Sequence, residues 1–504
     1  MLPASPQFAA ARAILNDLRR QGYAAYLAGG CVRDLLLGRE PKDYDVATSA
    51  TPEIVLDLFP RTFAVGAHFG VVLVSMEIDG EPTLTEVATF RSDGAYSDGR
   101  RPDAVRYTTS AEEDVQRRDF TINGLLLDPD KLFPDKLDPN KLDLGDNPTP
   151  TKGTGFSPYI PITDQTGALA PEDERNAVID HVGGLADLDS GIIRAIGRPE
   201  LRFEEDRLRM LRAVRFAARF GFTIEPGTLS AMRSLAHKIE TVSRERVRDE
   251  LTRMLTQGHA RLAFELLDST GLLAQVLPEV AKLKGVEQPP QFHPEGDVWT
   301  HTLLLLQQLE AGCPMTLAWG ALLHDIGKPA TFQPPTGAGD RIRFNGHVEV
   351  GVAIGREICN RLRFSNEETA QILALIENHM RFADTPRMKA STLKRFFRLD
   401  SFEEHLALHK MDCRASSLDM TGHLENYYFA KERYEAMPEE EVRPAPLLTG
   451  RELIAAGYQP GAAFKAMLHA VEEAQLEGSI HTAEEAHRFI RANFPPPDCV
   501  VDSR

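Results

Sequence analysis

An α+β chain is predicted, with an α/β head at its N-terminus and all-helical domains behind it. Three observations lead there. Short apolar runs of strand length alternate with helical periodicity up to residue 127. A stretch rich in Pro, Asp, Lys and Gly, with little apolar content, interrupts the chain from residue 128 to 175. Beyond it the apolar residues recur every three to four positions almost to the end.

The N-terminus, "MLPASPQFAAARAILNDLRR", reads as an amphipathic helix, because Arg12 and Asp17 interrupt what would be the apolar core of a signal peptide. "AAYLAGG" and "DYDVAT" read as strands, and "TPEIVLDLF" as a helix capped by Thr51 with Pro52 in its first turn. "GVVLVSMEI" and "TLTEVATF" are further strands. The predicted parts are a head (1–127), a disordered or loosely packed insertion (128–175), a region that ends the head and continues into helices (176–285), a helical domain (297–415) and a C-terminal helical region (416–504). The Pro- and Gly-rich "GVEQPPQFHPEGD" marks the break before residue 297.

With 504 residues and 42% hydrophobic content the chain can bury several cores. No apolar run approaches the roughly 18 residues of a membrane span, so no membrane partner and a cytoplasmic address are expected. Cys31, Cys313, Cys359, Cys413 and Cys499 are odd in number and scattered, which argues against a disulfide framework or a structural zinc site. A net charge of −17 argues against indiscriminate nucleic-acid binding. Locally the balance reverses: eight arginines fall between Ile193 and Phe220, and Arg244, Arg246, Arg248 and Arg253 follow. Two readings stay open, a face for a selected polyanion or a helix saturated by its own Glu204, Glu205 and Asp206.

Asp43 and Asp45 are two positions apart on a predicted strand and so project together, while Tyr44 points away. Paired carboxylates destabilise a fold unless a counter-charge joins them, and an oxygen-preferring Mg²⁺ supplies it. Glu86 in "TLTEVATF" is the candidate third acid. Upstream, Gly29 and Gly30 form a strand-to-helix turn open to phosphate, followed by Arg33.

At this point the sequence resembles the bacterial-type tRNA nucleotidyltransferases (CCA-adding enzymes) and the related bacterial poly(A) polymerases. The resemblance rests on "GGCVRDLLLGREPKDYDVAT", "RRDFTINGL", "GLADLDSGIIRAIG", "EEDRLRMLRAVRFAARFGF" and "RERVRDELTRML", in that order. It implies a polymerase-beta-like head with Asp43, Asp45 and Glu86 as catalytic acids on Mg²⁺. It also implies nucleotide contacts from Gly29, Gly30, Arg33, Arg118, Asp119, Asn123 and Arg212. Asp206 and Arg209, placed on one helical face and braced by Glu205, would read the base of CTP or ATP without a template, with tRNA as acceptor. An intact "FRSDGAYSDGRRPDAVRY" disfavours a CC-only enzyme; A-only addition and polyadenylation remain as alternatives.

A second constellation lies in residues 297 to 415. His301, the His324–Asp325 doublet and Asp412 fall on separate predicted helices, with His347 and His379 able to join them. Imidazole with carboxylate suits a divalent transition metal or a mixed site better than Mg²⁺ alone. The order resembles the HD phosphohydrolase superfamily, in particular members binding two metals. That implies a phosphatase or 2′,3′-cyclic phosphodiesterase using activated water. A reading from another class is a metal phosphohydrolase whose N-terminal half only binds RNA.

Overall fold

The computed structural model describes residues 5–64, 70–94, 105–132, 175–337, 339–416 and 424–495. It divides into two compact units, Met1–Glu250 with Leu266–Val276, and Leu251–Glu265 with Leu277–Arg504. Nearly all of the 128–175 insertion, Cys499 and the centre of the loop between Phe90 and Tyr107 lie outside the described residues.

In the first unit the strands are β1 (Ala25–Ala28), β2 (Val46–Thr48), β3 (Thr62–Phe63), β4 (Val71–Ile78), β5 (Glu81–Thr89), β6 (Arg91–Asp93), β7 (Val105–Tyr107), β8 (Leu125–Leu127) and β9 (Val178–Asp180). Seven form one mixed sheet in the order β3-β4-β5-β2-β1-β8-β9. β2 runs parallel to β5 and antiparallel to β1. β6 and β7 make a separate antiparallel ribbon. The N-terminal helix Pro6–Arg20 forms as expected: Ser5 Oγ accepts from the Phe8 N–H, Pro6 opens the first turn, and Phe8, Ile14, Leu15 and Leu18 are buried. Helix Pro52–Leu58 also forms, but the Thr51 side chain makes no capping bond.

Two expectations need correction. The strand expected over "DYDVAT" begins only at Val46, so Asp43 and Asp45 precede it. Alternation nevertheless extends back through them: Tyr44 is buried edge-on against Phe8, with ring centroids 5.4 Å apart, and Asp43 is exposed. The segment "EEDRLRMLRAVRFAARFGF" is two helices, Pro199–Glu205 and Leu208–Phe220, broken at Asp206. The Asp206 side chain explains the break: it caps the new helix by accepting from the Leu208 N–H at 3.1 Å. Asp206 and Arg209 therefore do not share one helical face. The second helix ends at Gly221, whose φ of 70° is the left-handed cap expected there.

Among its described residues the regular elements of the second unit are helices, joined by loops and one isolated bridge between Gln333 and Arg343. Helices Val298–Leu306, Met315–Leu323, His347–Arg361, Asn366–Asn378 and Phe402–Ala415 form its first part. Glycines allow close approach: a Cβ on Gly320 would lie 2.6 Å from the Leu375 side chain. At Gly327 a Cβ would collide with the His347 carbonyl oxygen, so only glycine lets the turn after His324–Asp325 press against the next helix start. Two further cores follow, one around Phe382, Phe396, Phe397 and Phe402, the other around Leu453, Tyr458, Val471 and Ile490.

Candidate active sites

The end of β1 sets the frame of the first site. The Ala28 N–H donates to the Asp45 carbonyl at 3.0 Å on one side, and the Gly29 N–H to the Leu125 carbonyl at 3.1 Å on the other. Gly29 has φ 75°, and a Cβ there would meet Arg118 Nη1 at 3.0 Å; glycine is needed for the turn and for the arginine lying against it. Helix Gly30–Leu36 starts at once.

Parallel register between β2 and β5 places Val46 beside Val87, which brings Glu86 alongside Asp45 one residue earlier. Burial, and then the negative charge of Glu86, push the Asp45 carboxyl up to about 6 against the opposing pull of Arg118, with Asp43 adding to the rise. The oxygens of Asp43, Asp45 and Glu86 do not all come within 4.8 Å of one another, yet they interact. An all-oxygen donor set of this charge fits Mg²⁺ with water completing its shell.

Asp45 opens into a cleft of about 580 Å³. Gly29, Gly30, Arg33, Arg118, Asp119, Asn123, Asp206, Arg209 and Arg212 line it with Asp45; Asp43 and Glu86 do not. Its walls carry eight arginines against three aspartates, so the cleft favours an anion of several charges. Buried acids aim these arginines. Arg33 lies under Phe220, bonded to Asp34 and to the Asn123 side-chain oxygen, and burial lowers its pKa. Asp119 accepts from Arg212 Nε at 2.7 Å and from the Asn123 amide at 3.1 Å. Burial would raise its carboxyl, but the Arg212 charge and the Asn123 bond hold it down to about 2. Glu205 accepts from Arg209 at 2.7 Å, the brace expected of it. Asp206 takes Arg246 at 2.7 Å. Of the two readings of the arginine run, saturation within its own helix fails: Arg212, Arg215 and Arg219 pair with Asp119, Glu250 and Asp34, all from other elements.

Sequence reading missed Asp114, which is 1% exposed and bonds Arg117 at 2.6 Å and Arg118 at 3.0 Å. The signal was present, since Asp114 stands three and four residues before the arginine pair on helix Ala111–Gln116. Arg117 and Phe216 also line the cleft without having been singled out, while Arg215, Arg219 and Arg246 come from the arginine clusters read as a possible polyanion face.

The second site gathers all six predicted ligands. His301 Nε2 lies 3.0 Å from Asp412 and 3.3 Å from His324 Nε2. His347 and His379 each place Nε2 3.8 Å from Asp325 Oδ1, while Asp325 Oδ2 lies 3.1 Å from His324. Two triads result, His301–His324–Asp412 and Asp325–His347–His379, each able to hold one ion, with Asp325 touching both. The imidazoles are aimed through Nδ1, which meets the carbonyls of Ala321, Phe344 and Ile376 for His324, His347 and His379, and Glu295 for His301. Burial opposes protonation of His301, but its bonds to Asp412 and Glu295 raise it to about 9. His379 falls to about 4 through burial. Lys328 Nζ lies 2.7 Å from Asp325, and the adjoining cleft of about 800 Å³ is walled by Phe292, His293, Arg341 and Phe344 among others.

Residues 25–139 match the model of the Poly A polymerase head domain, residues 221–284 that of the probable RNA and SrmB-binding site of polymerase A, and residues 298–419 the HD domain. Three segments of the chain thus resemble, in order, a poly(A) polymerase head, a polymerase RNA-binding region and an HD domain. The head match contains Asp43, Asp45, Glu86, Asp114 and Asp119 but not Glu205 or Asp206, and the HD match contains all six second-site ligands. The chain is 36% identical over 304 residues to the CCA-adding enzyme of Lactobacillus johnsonii, covering 60% of this chain and 64% of that one. It is 37% identical over 287 residues to that of Geobacillus kaustophilus, covering 57% and 59%. The matched stretch thus spans less than two thirds of these relatives. Among solved structures, the Bacillus stearothermophilus CCA-adding enzyme in complex with CTP superposes with a TM-score of 0.65 at 26% identity, over 97% of this chain and 98% of that one. A Thermotoga maritima CCA-adding enzyme complexed with tRNA shares the fold at TM-score 0.53 and 17% identity. No helix among the described residues is long and apolar enough to cross a membrane.

Proposed function

We propose that this chain is a template-independent nucleotidyltransferase that adds C, C and A to tRNA 3′ ends from CTP and ATP, releasing pyrophosphate in the cytoplasm. The observation that carries the reading is the arginine-walled cleft ending at Asp45 beside the Gly29–Gly30 turn. Arg118 and Arg212, held by Asp114 and Asp119, give an incoming triphosphate fixed donors that need no reorganisation. Arg209, braced by Glu205, and Asp206, with lone pairs beyond those used for Leu208 and Arg246, face the same cleft as donor and acceptor for a base edge. When bound at Asp43, Asp45 and Glu86, Mg²⁺ supplies charge neutralisation at the α-phosphate and acidification of the attacking 3′-hydroxyl. On this reading the head spans 1–127 and is completed after the insertion.

The second reading, carried by the six-ligand cluster, adds metal-dependent hydrolysis of phosphomonoesters or 2′,3′-cyclic phosphates by the HD domain over 297–415. Two divalent ions there supply acidification of water and neutralisation of phosphoryl charge, and the nitrogen-rich donor set favours transition metals. Lys328 adds positive charge beside them.

Incubating the protein with 3′-truncated tRNA and labelled CTP or ATP, separately and together, tests the first reading. Addition of two C residues followed by one A is expected. Incorporation from ATP alone would replace CCA addition by A addition or polyadenylation, and no incorporation would refute the reading.

A further inference from the structure

Of the four candidate ligand histidines of the HD domain, His324, His347 and His379 are oriented by main-chain carbonyls and His301 by a side chain. Glu295, in the non-helical segment before helix Val298–Leu306, accepts from His301 Nδ1 at 2.8 Å. The same oxygen, Oε1, lies 2.8 Å from His293 Nδ1. The two rings meet edge to face, 5.1 Å apart. Glu295 is almost wholly buried, with its side chain 2% exposed, and its Oε2 receives no protein hydrogen bond. His293 lines the cleft that also contains Asp325, His347 and His379. A buried carboxylate would not be left half-satisfied beneath a histidine merely to pack a loop, since a neutral residue would avoid the desolvation cost.

We propose that Glu295 is a positioning residue of the HD metal centre, holding the proton on Nδ1 of His301 so that Nε2 faces the ion, and tying His293 of the cleft wall to the same oxygen. This rests on the HD domain being metal-binding. The anchor segment is itself fixed on both sides of Glu295: before it the His293 N–H donates to the Pro289 carbonyl at 3.0 Å, and after it Asp297 caps the helix through the Thr300 N–H at 2.8 Å and accepts from the Gly285 N–H at 2.7 Å. Glu295 therefore reaches His301 from a rigid base, and its negative charge strengthens the imidazole as a donor.

The test is calorimetric titration of Mn²⁺ into the full chain in an Asp43→Ala/Asp45→Ala background, which silences the head. Glu295→Ala should weaken uptake by about 10- to 100-fold, and Glu295→Gln, which keeps an acceptor oxygen but not the charge, by less. Melting temperatures in chelator provide the control. Affinity within about twofold of the parent in Glu295→Ala would overturn the proposal, as would equal losses in both variants tracking equal falls in chelator Tm. If Glu295→Ala does not fold, Glu295→Gln decides alone: a several-fold loss supports the role and none overturns it. A third equivalent of Mn²⁺ removed by His293→Ala would make Glu295 a ligand and overturn it too. No uptake by the parent would sink the metal reading itself, and the proposal with it.

Discussion

The two clefts solve opposite electrostatic problems with one device. In the head, buried aspartates and glutamates hold arginines in place, so that positive charge is presented to an anion. In the HD domain, carbonyls and Glu295 hold imidazoles in place, so that nitrogen lone pairs and two carboxylates are presented to cations. In both clefts some groups that face the ligand are held by partners that do not line the cleft, as Arg118 is by Asp114 and His301 by Glu295. Specific chemistry here depends as much on those holding groups as on the residues at the surface of the cleft.

The largest expected effect separates the two halves. Asp45→Ala should lower nucleotide incorporation by about 10³-fold or more and leave HD-domain hydrolysis unchanged, with Asp325→Ala giving the reverse; paired assays on one preparation check both. Chelator should abolish both activities. Glu250→Ala removes the 2.6 Å ion pair with Arg215, whose side chain is 7% exposed, and should cost about 1.5–3 kcal/mol in urea unfolding.

Asp45 gives a pH signature. Its folded pKa of about 6 lies above its unfolded value near 4, so the native state binds the extra proton between those values. In chelator, the Asp45 contribution to stability should fall by roughly 2–3 kcal/mol as pH rises from about 4 to 6; His379 and His405, held down to about 4, contribute with the opposite sign, so the fall is read as the difference between the parent and Asp45→Asn. Asp45→Asn should remove that fall, and Mg²⁺ should offset it; unfolding free energies across the window check the sign. The smallest effect concerns base choice. Glu205→Gln should loosen Arg209 and reduce CTP-over-UTP discrimination by about 10-fold with little change in stability, read from kcat/KM ratios.

Much of this was legible in the sequence, unevenly. The glycine pair, Asp45, Arg118 and all six HD ligands could be read because their chemistry is local or their order is characteristic. The helical periodicity over 204–222 hid the break at Asp206, since a side chain that caps a new helix leaves the apolar spacing intact. Asp114 and Glu295 were missed for a different reason. Each acts on a neighbour's side chain instead of on the ligand, and in sequence such an acid looks like any other surface charge.

The place of β1 between β2 and β8 has a consequence for how the head can vary. Asp45 enters beside one edge of β1, and the segment bearing Asn123 leads into β8 along the other. The jaws of the cleft are thus two hydrogen-bonded strand spacings apart, about 10 Å. Substituting side chains can retune what the jaws grip, but their gauge belongs to the peptide backbone and would change only if a strand were inserted or lost.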